Sequence, residues 1–195
     1  MNWGYNMGEE KGPEFYTGRG YLRDGAKENN MLIYQEAYEL LPKLNAFNKV
    51  IDLGCGVGYF SSLIDNENYL GIDFSKDVIK IAKELNPTKT FMVGNLLDEN
   101  MYNLFYSSND IYICLEALEH IEKDIEVLKT IPSKCIVIIS VPNRDYESHV
   151  RYFKNQNEII ERYEDILDFD NCEWRIIETN PKKNAKVFLF KTRRK

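Results

Sequence analysis

Apolar residues along this chain follow two alternating patterns, which are short continuous runs and steps of three and four residues. The continuous runs predict strands over 49–54, 69–74, 90–94, 110–115 and 134–141. The steps of three and four predict helices over 27–41, 59–64, 76–85, 101–105, 123–131 and 157–167. Two more strands, 173–179 and 185–191, follow without a helical pattern between them, and we expect them to pair in antiparallel fashion.

Strands that alternate with helices predict an α/β fold in which helices cover both faces of a mostly parallel sheet. The specific expectation is a Rossmann-like, doubly wound sheet of seven strands that closes with a C-terminal antiparallel hairpin. A length of 195 residues suits one domain. We expect residues 27–195 to form its core and residues 1–26, rich in Gly, Tyr and Asn, to form a loop or lid.

Composition and charge limit the expected location and binding partners of the protein. No run of about 18 apolar residues is present, and the N-terminus lacks the basic and apolar stretches of a signal peptide, so a cytoplasmic location without membrane contact is expected. The four cysteines form no CxxC pair, which predicts buried apolar thiols and no zinc site. The net charge of −6 disfavours a broad nucleic-acid surface. Residues 181–195 nevertheless carry seven basic and no acidic residues; a solvated end is expected, with RNA contact as the alternative.

A glycine-rich turn is the strongest local signal. The run Val50–Phe60 reads as a strand that enters Gly54-Cys55-Gly56-Val57-Gly58 and then a helix. Glycines in such a turn let a ligand approach the main chain. Asp73 ends the next strand 19 residues after Gly54, where an acid of this fold reaches ribose hydroxyls. The glycine spacing disfavours a nicotinamide oxidoreductase, whose third glycine usually lies deeper in the helix.

Four segments in order resemble the motifs of class I S-adenosylmethionine-dependent methyltransferases: Asp52–Gly58, Gly71–Ser75, Met92–Asp98 and Asp110–Ile121. The resemblance implies S-adenosylmethionine as cofactor, with Asp52 at its ammonium group, Asp73 at its ribose, and Asn95 and Leu96 beside its adenine. Many family members have Asp where Asn95 stands. The full set of cofactor-binding residues that the resemblance implies is Asp52, Gly54, Cys55, Gly56, Asp73, Phe74, Asn95, Leu96 and Leu115.

Candidates for the chemistry lie beyond the carboxyl ends of the fourth and fifth strands, where both histidines of the chain fall. Glu116, His120 and His149 are the expected acid–base residues. If the segment 116–120 is helical, Glu116, Glu119 and His120 share one face and could bind a divalent metal. That pattern resembles those of ubiquinone-pathway O-methyltransferases and small-RNA 2′-O-methyltransferases, the second of which uses a further histidine, for which His149 could stand. The metal-free pocket is favoured.

The predicted function is methyl transfer from S-adenosylmethionine to an oxygen or nitrogen atom of a small-molecule acceptor. One alternative is a metal-dependent RNA ribose 2′-O-methyltransferase. Another is a non-catalytic partner subunit that binds the cofactor. The sequence gives no oligomeric state.

Overall fold

Seven strands form one sheet in the computed structural model, in the order β3-β2-β1-β4-β5-β7-β6. The structure describes residues 8–17, 24–43, 49–64, 68–102, 107 and 109–195, without the side chains of residues 24–29. The strands are β1 Val50–Leu53, β2 Tyr69–Asp73, β3 Thr90–Val93, β4 Ile111–Leu115, β5 Ile136–Pro142, β6 Leu167–Asn180 and β7 Ala185–Arg194. The helices are α1 Pro13–Thr17, α2 Asp24–Glu39, α3 Lys76–Leu85, α4 Glu99–Tyr102, α5 Asp124–Thr130 and α6 Gln156–Tyr163.

Strands β1 to β5 are parallel, and β7 runs antiparallel between β5 and β6. Buried apolar side chains form one cluster on each face of this sheet, so helices and sheet share two cores. This confirms the predicted α/β class, the mostly parallel seven-stranded sheet and the closing antiparallel hairpin. No helix in the described part of the chain is long and apolar enough to cross a membrane.

Helix α3 shows how local sequence fixes an element next to the cleft. Its N-cap is Ser75, whose hydroxyl oxygen accepts a hydrogen bond from the Val78 amide at 3.4 Å. Val78, Ile79 and Ala82 recur at helical spacing and are buried. The helix therefore begins immediately after β2, and its first turn lies beside Asp73.

Two predicted helices differ from the structure. The segment 59–64 forms only a 3-10 helix, Phe60–Leu63. The Ser61 and Ser62 hydroxyls donate to the carbonyls of Gly58 and Tyr59 at 2.7 and 2.8 Å, and such side-chain bonds compete with helix formation. The helix predicted over 157–167 ends at Tyr163, and β6 begins at Leu167 with a register shift between Asp168 and Glu173. The helix predicted over 101–105 is α4, and residues 103–106 lie outside the described part.

The basic C-terminal residues belong to the sheet, which corrects their interpretation as a solvated end. Strand β7 extends to Arg194 and pairs with β5, with Arg193 opposite Ile136. Arg193 Nη1 donates to the Lys134 carbonyl at 2.8 Å, and Arg194 Nε donates to the Leu128 carbonyl at 3.1 Å. These guanidinium groups therefore satisfy main-chain carbonyls, which weakens the sequence argument for RNA binding.

Candidate active site

An open cleft lies at the carboxyl ends of the parallel strands, with an empty volume of about 820 Å³ including its part open to solvent. This position is where ligands bind in open α/β sheets. The lining residues come from the N-terminal segment and from the loops after β1, β2, β3 and β4: Glu10, Lys11, Tyr16, Gly54, Gly56, Asp73, Phe74, Val78, Asn95, Leu96, Leu97, Glu116, Ala117, His120 and Ile121.

The glycine turn after β1 forms the floor of the cleft. Gly54 has φ 78°, and a Cβ there would lie 2.7 Å from the Cβ of Ala117, so both the conformation and the space require glycine. Gly56 has φ 53°, and a Cβ there would meet no atom within 4 Å. The space above Gly56 is therefore open for a ligand that approaches the main chain.

Asp73 closes the side of the cleft where β2 ends. Its two carboxylate oxygens accept hydrogen bonds from the Gly56 amide at 3.2 Å and the Ser75 amide at 2.9 Å. Burial raises the pKa of Asp73, while these main-chain donors act in the opposite direction. Each oxygen has a second lone pair, so the carboxylate can still accept hydrogen bonds from two hydroxyl groups.

The structure brings six of the nine predicted cofactor residues to the cleft lining: Gly54, Gly56, Asp73, Phe74, Asn95 and Leu96. The other three, Asp52, Cys55 and Leu115, are not among the described lining residues. Asp52 is 3% exposed and accepts a hydrogen bond from Tyr69 Oη at 2.5 Å. Burial raises the pKa of Asp52 to about 7, although the Tyr69 hydroxyl lowers it. Direct contact of Asp52 with a cofactor therefore stays a prediction.

The N-terminal segment 8–17 lies against the cleft. The Glu122 amide donates to Glu10 Oε2 at 2.7 Å, and Gly8 packs so closely on the Glu147 carbonyl that a side chain would not fit. The Tyr16 ring meets Phe74 edge-on, with ring centroids 5.6 Å apart, and likewise His120 at 5.9 Å.

Tyr16 belongs to the segment 1–26, for which the sequence predicts a loop or lid. Tyr5, Arg19 and Tyr21 of the same segment lie outside the described residues. Sequence reasoning missed Glu10 and Lys11, for which the pattern gives no signal.

Glu116 lies at the end of β4 and lines the cleft. Its φ of 52° is left-handed, so the segment 116–120 does not form the expected continuous helix; only Leu118–His120 makes a 3-10 helix. Ser140 holds Glu116 from β5: its Oγ accepts from the Glu116 amide and donates to Oε1, both at 2.9 Å. Burial raises the pKa of Glu116 to about 7. Ser140 was missed, although a lone hydroxyl in the apolar run of β5 was a usable signal.

Glu119, His120 and His149 form a cluster of potential metal ligands, with one ligand atom from each lying within 4.8 Å of the others. Glu116 is not part of this group, and the predicted set of Glu116, Glu119 and His120 stays a prediction. The imidazole ring centroids are 4.9 Å apart, and His120 Nε2 lies 3.9 Å from Glu119 Oε1. Glu119 is 1% exposed, and neither of its oxygens has a hydrogen-bond partner among the described residues.

Main-chain carbonyls fix the tautomers of both histidines. Nδ1 of His120 lies 2.9 Å from the Ser148 carbonyl, and Nδ1 of His149 lies 3.1 Å from the Arg144 carbonyl. Because a carbonyl only accepts, each Nδ1 carries the proton and each Nε2 presents a lone pair. Burial lowers the pKa of His120 to about 4 and also lowers that of His149. Burial, and then repulsion from Glu116, raises the pKa of Glu119.

Comparison with known proteins places these features in a family. The model of a family described as a methyltransferase domain matches residues 44–179. The mitochondrial ubiquinone biosynthesis O-methyltransferase of Saccharomyces cerevisiae is 32% identical over 106 residues, which are 49% of this chain and 34% of that protein. An uncharacterised protein of Methanocaldococcus jannaschii is 29% identical over 76% of this chain and 65% of its own length. The chain thus spans one to two thirds of these relatives.

Among solved structures, the N-methyltransferase NodS of Bradyrhizobium japonicum, in complex with S-adenosylhomocysteine, superposes with a TM-score of 0.65. The match covers 93% of this chain and 96% of that chain at 13% identity. At this level of identity the likeness concerns the fold, and it agrees with the strand order described above.

Proposed function

The chain belongs to the methyltransferase domain family, and from this and the cleft we propose that it transfers a methyl group from S-adenosylmethionine to an oxygen or nitrogen atom of a small-molecule acceptor. The observation that carries the proposal is the convergence of the open Gly56 main chain, the Asp73 carboxylate and Glu116 on one cleft. Gly54 and Gly56 would support the methionine part, and Asp73 would accept the ribose hydroxyls.

Glu116 is the base that this site offers for the acceptor proton. Methyl transfer breaks the bond between sulfur and the methyl carbon, forms a bond from that carbon to the acceptor, and releases the acceptor proton. A carboxylate with a pKa of about 7 is well matched to take that proton at neutral pH. Ser140 of β5 orients the carboxylate by donating its hydroxyl hydrogen to Oε1.

The charge of the cleft supports a small acceptor over RNA. Among the described residues, its lining carries the carboxylates of Glu10, Asp73 and Glu116 and one ammonium group, that of Lys11. A phosphodiester chain depends on cationic contacts, and three acids would repel it. The basic residues at the end of β7 bind main-chain carbonyls of this chain. Both observations favour an acceptor without a phosphate backbone.

The cofactor part is tested by calorimetry with S-adenosylhomocysteine. Asp73→Ala should weaken binding by at least tenfold, since a hydrogen bond to a charged group contributes about 1.5–3 kcal/mol. Asp77→Asn, which changes an exposed acid on the first turn of α3, is the matched control and should bind like the wild type. Equal affinity in all three proteins, or tight NAD binding in place of S-adenosylhomocysteine, would overturn the assignment. A screen of small acceptors and short RNAs, which detects S-adenosylhomocysteine release, then decides the acceptor class.

We further propose that Glu119, His120 and His149 hold a divalent cation beside the acceptor. Two imidazole lone pairs lie close to a buried carboxylate that has no hydrogen-bond partner in the described part of the chain. The 3.9 Å between His120 Nε2 and Glu119 Oε1 is too long for a hydrogen bond. It suits an ion that lies about 2.0–2.2 Å from each ligand. When bound, such an ion would lower the pKa of an acceptor hydroxyl.

Manganese titration tests the cation site without any acceptor. Mixed imidazole and carboxylate ligands suit Mn²⁺ or Zn²⁺ better than Ca²⁺. Mn²⁺ should bind the wild type with one site, and Glu119→Gln should reduce its affinity at least tenfold. Glu122→Gln, at an exposed acid three residues away, should leave it unchanged. If Mn²⁺ does not bind, and chelator leaves methyl transfer unaffected, the cluster is a metal-free acid–base pocket.

A further inference from the structure

Arg151 links the loops that follow β4 and β5. It belongs to the loop after β5 and is 9% exposed. Its guanidinium group reaches the loop after β4, where Nη1 donates to the carbonyls of Leu118 and Ile121 and Nη2 donates to that of Glu122 at 2.9 Å. These three carbonyls bracket Glu119 and His120 in the chain. One side chain thus fixes the main chain on both sides of two members of the cluster.

The other side of the guanidinium group is held by Asp124, the first residue of α5. Asp124 is fully buried and pairs with Arg151 Nε at 3.3 Å. Its carboxylate also accepts from Arg162 at 2.8 and 2.7 Å and from Tyr163 Oη at 2.7 Å. Helix α6 therefore fixes Asp124, and Asp124 orients Arg151. Arg162 shares this carboxylate, since its Nε and Nη2 atoms donate to the two oxygens of Asp124.

Two further hydrogen bonds cross between the same loops. The Val150 amide donates to the Glu119 carbonyl at 2.8 Å, and His120 Nδ1 donates to the Ser148 carbonyl at 2.9 Å. The groups that the loop after β5 contributes to these bonds, the Val150 amide and the Ser148 carbonyl, lie within three residues of Arg151 in the chain. The separation of 4.9 Å between the rings of His120 and His149 therefore depends on how closely these loops stay joined.

We infer that Arg151 is a positioning residue that sets the tautomer and placement of His120 by clamping the loop 118–122 against the loop 148–151. The inference rests on the proposed function for its purpose, since the clamped side chains are those of the proposed cation site. Lysine cannot replace Arg151, because the planar guanidinium group has five donors in a fixed fork, and an ammonium group has three on a single atom. A clamp across three carbonyls and one carboxylate needs that fork.

Histidine NMR tests the inference directly, because the chain has only two histidines. In protein labelled with ¹⁵N-histidine at pH 8, both wild-type imidazoles should show the Nδ1–H tautomer. In Arg151→Lys, the His120 signal should move toward the Nε2–H tautomer that predominates in water. The Val150 amide should exchange with solvent at least tenfold faster. Arg162→Lys is the matched control, since it weakens the same ion network without touching loop 118–122.

The expected result is that Arg162→Lys lowers the melting temperature but keeps the His120 tautomer and the Val150 protection. The inference is overturned if Arg151→Lys keeps both, or if Arg162→Lys loses both to the same extent. If Arg151→Lys does not fold, Arg151→Gln, whose amide retains two donors, is measured in its place against the same criteria. S-adenosylhomocysteine binding is measured on the wild type in parallel. Its absence would overturn the proposed function, while the tautomer and exchange data would still decide the role of Arg151.

Discussion

Four carboxylates stand near the carboxyl ends of β1, β2 and β4, and each has different partners. Asp52 accepts from a tyrosine hydroxyl, Asp73 from main-chain amides and Glu116 from a serine hydroxyl. Glu119 has no hydrogen-bond partner among the described residues. Partners that favour the charged form offset the cost of burial, so these four acids are suited to different tasks. In the proposed function, Asp73 would accept hydrogen bonds, Glu116 would take a proton, and Glu119 would bind a cation.

Release of a proton when the cofactor binds would show whether the Asp52 carboxylate interacts with the ammonium group of the cofactor. Burial raises the pKa of Asp52 to about 7, so its carboxyl is mostly protonated at pH 6.5. A nearby ammonium group favours the charged form and lowers that pKa, which releases the proton. Calorimetry in two buffers of different ionisation enthalpy should therefore detect a release of roughly half a proton or more when S-adenosylhomocysteine binds.

Two controls isolate the contribution of Asp52 from that of Glu116, whose pKa is also raised to about 7. Asp52→Asn should remove the release while Glu116 remains. Methylthioadenosine, which has no amino-acid part, should bind to the wild type without it. A release of the same size in Asp52→Asn, or with both ligands, would show that Asp52 does not interact with the ammonium group.

At the scale of secondary-structure elements, the sequence predicts the ends of a strand best where a hydrophobic run stops at a residue typical of turns. Each end of strands β1 to β4 lies within one residue of its predicted position, because Gly54, Asp73 and Gly94 mark where the hydrophobic runs stop. Strand β6 was predicted six residues short, since its first part, Leu167–Cys172, holds three aspartates or asparagines that hide a strand pattern. Of these residues, Leu167 and Asp168 pair with Arg194 and Arg193, because β7 offers an edge to them.

At this scale, the prediction concerns the contribution of the C-terminal strand β7 to stability. Removal of a solvated end would leave the free energy of unfolding unchanged. Residues 192–195, however, are hydrogen-bonded to the start of β5. The Lys134 amide donates to the Arg194 carbonyl at 2.7 Å, and the Arg194 amide donates to the Cys135 carbonyl at 3.0 Å. Thr192 is also buried. Deletion of 192–195 should therefore lower the free energy of unfolding by about 2 kcal/mol or more, as several hydrogen bonds and buried groups are lost. Urea unfolding measures this.

The control for that deletion removes basic charge elsewhere. Lys182→Gln with Lys183→Gln changes two exposed residues of the 3-10 helix between β6 and β7 and should leave stability unchanged. If the deleted protein is as stable as this double variant, the C-terminal residues are a solvated end after all.

For the whole molecule, the sequence predicted which loops would meet but not how they are joined. Parallel strands place Glu116, His120 and His149 at one edge of the sheet, which order along the chain and strand type suffice to indicate. The placement of His149 beside Glu119 and His120 depends on a left-handed residue, Glu116, and on hydrogen bonds to the carbonyls of Ser148 and Arg144. Main-chain acceptors exist at every residue, so sequence cannot single out those that are used.

The N-terminal segment is the part of the site with least signal in the sequence, and it carries the last prediction. Tyr16 meets Phe74 and His120 edge-on across the cleft, and Glu10 ties the segment to the Glu122 amide. If this segment acts as a lid, S-adenosylhomocysteine should dissociate at least tenfold faster from Tyr16→Ala, since an aromatic contact pair contributes about 0.5–1.5 kcal/mol beyond the area it buries. Stopped-flow fluorescence of dissociation measures the rate.

Glu10→Ala should change the dissociation rate in the same direction, because it removes the hydrogen bond that anchors the segment. Glu9→Ala alters a side chain that is 88% exposed and should match the wild type. Residues 8–17 contribute no strand to the sheet. All three variants should therefore keep their melting temperature within a few degrees in the absence of ligand. A dissociation rate unchanged in both Tyr16→Ala and Glu10→Ala would mean that the cofactor enters and leaves without the segment moving.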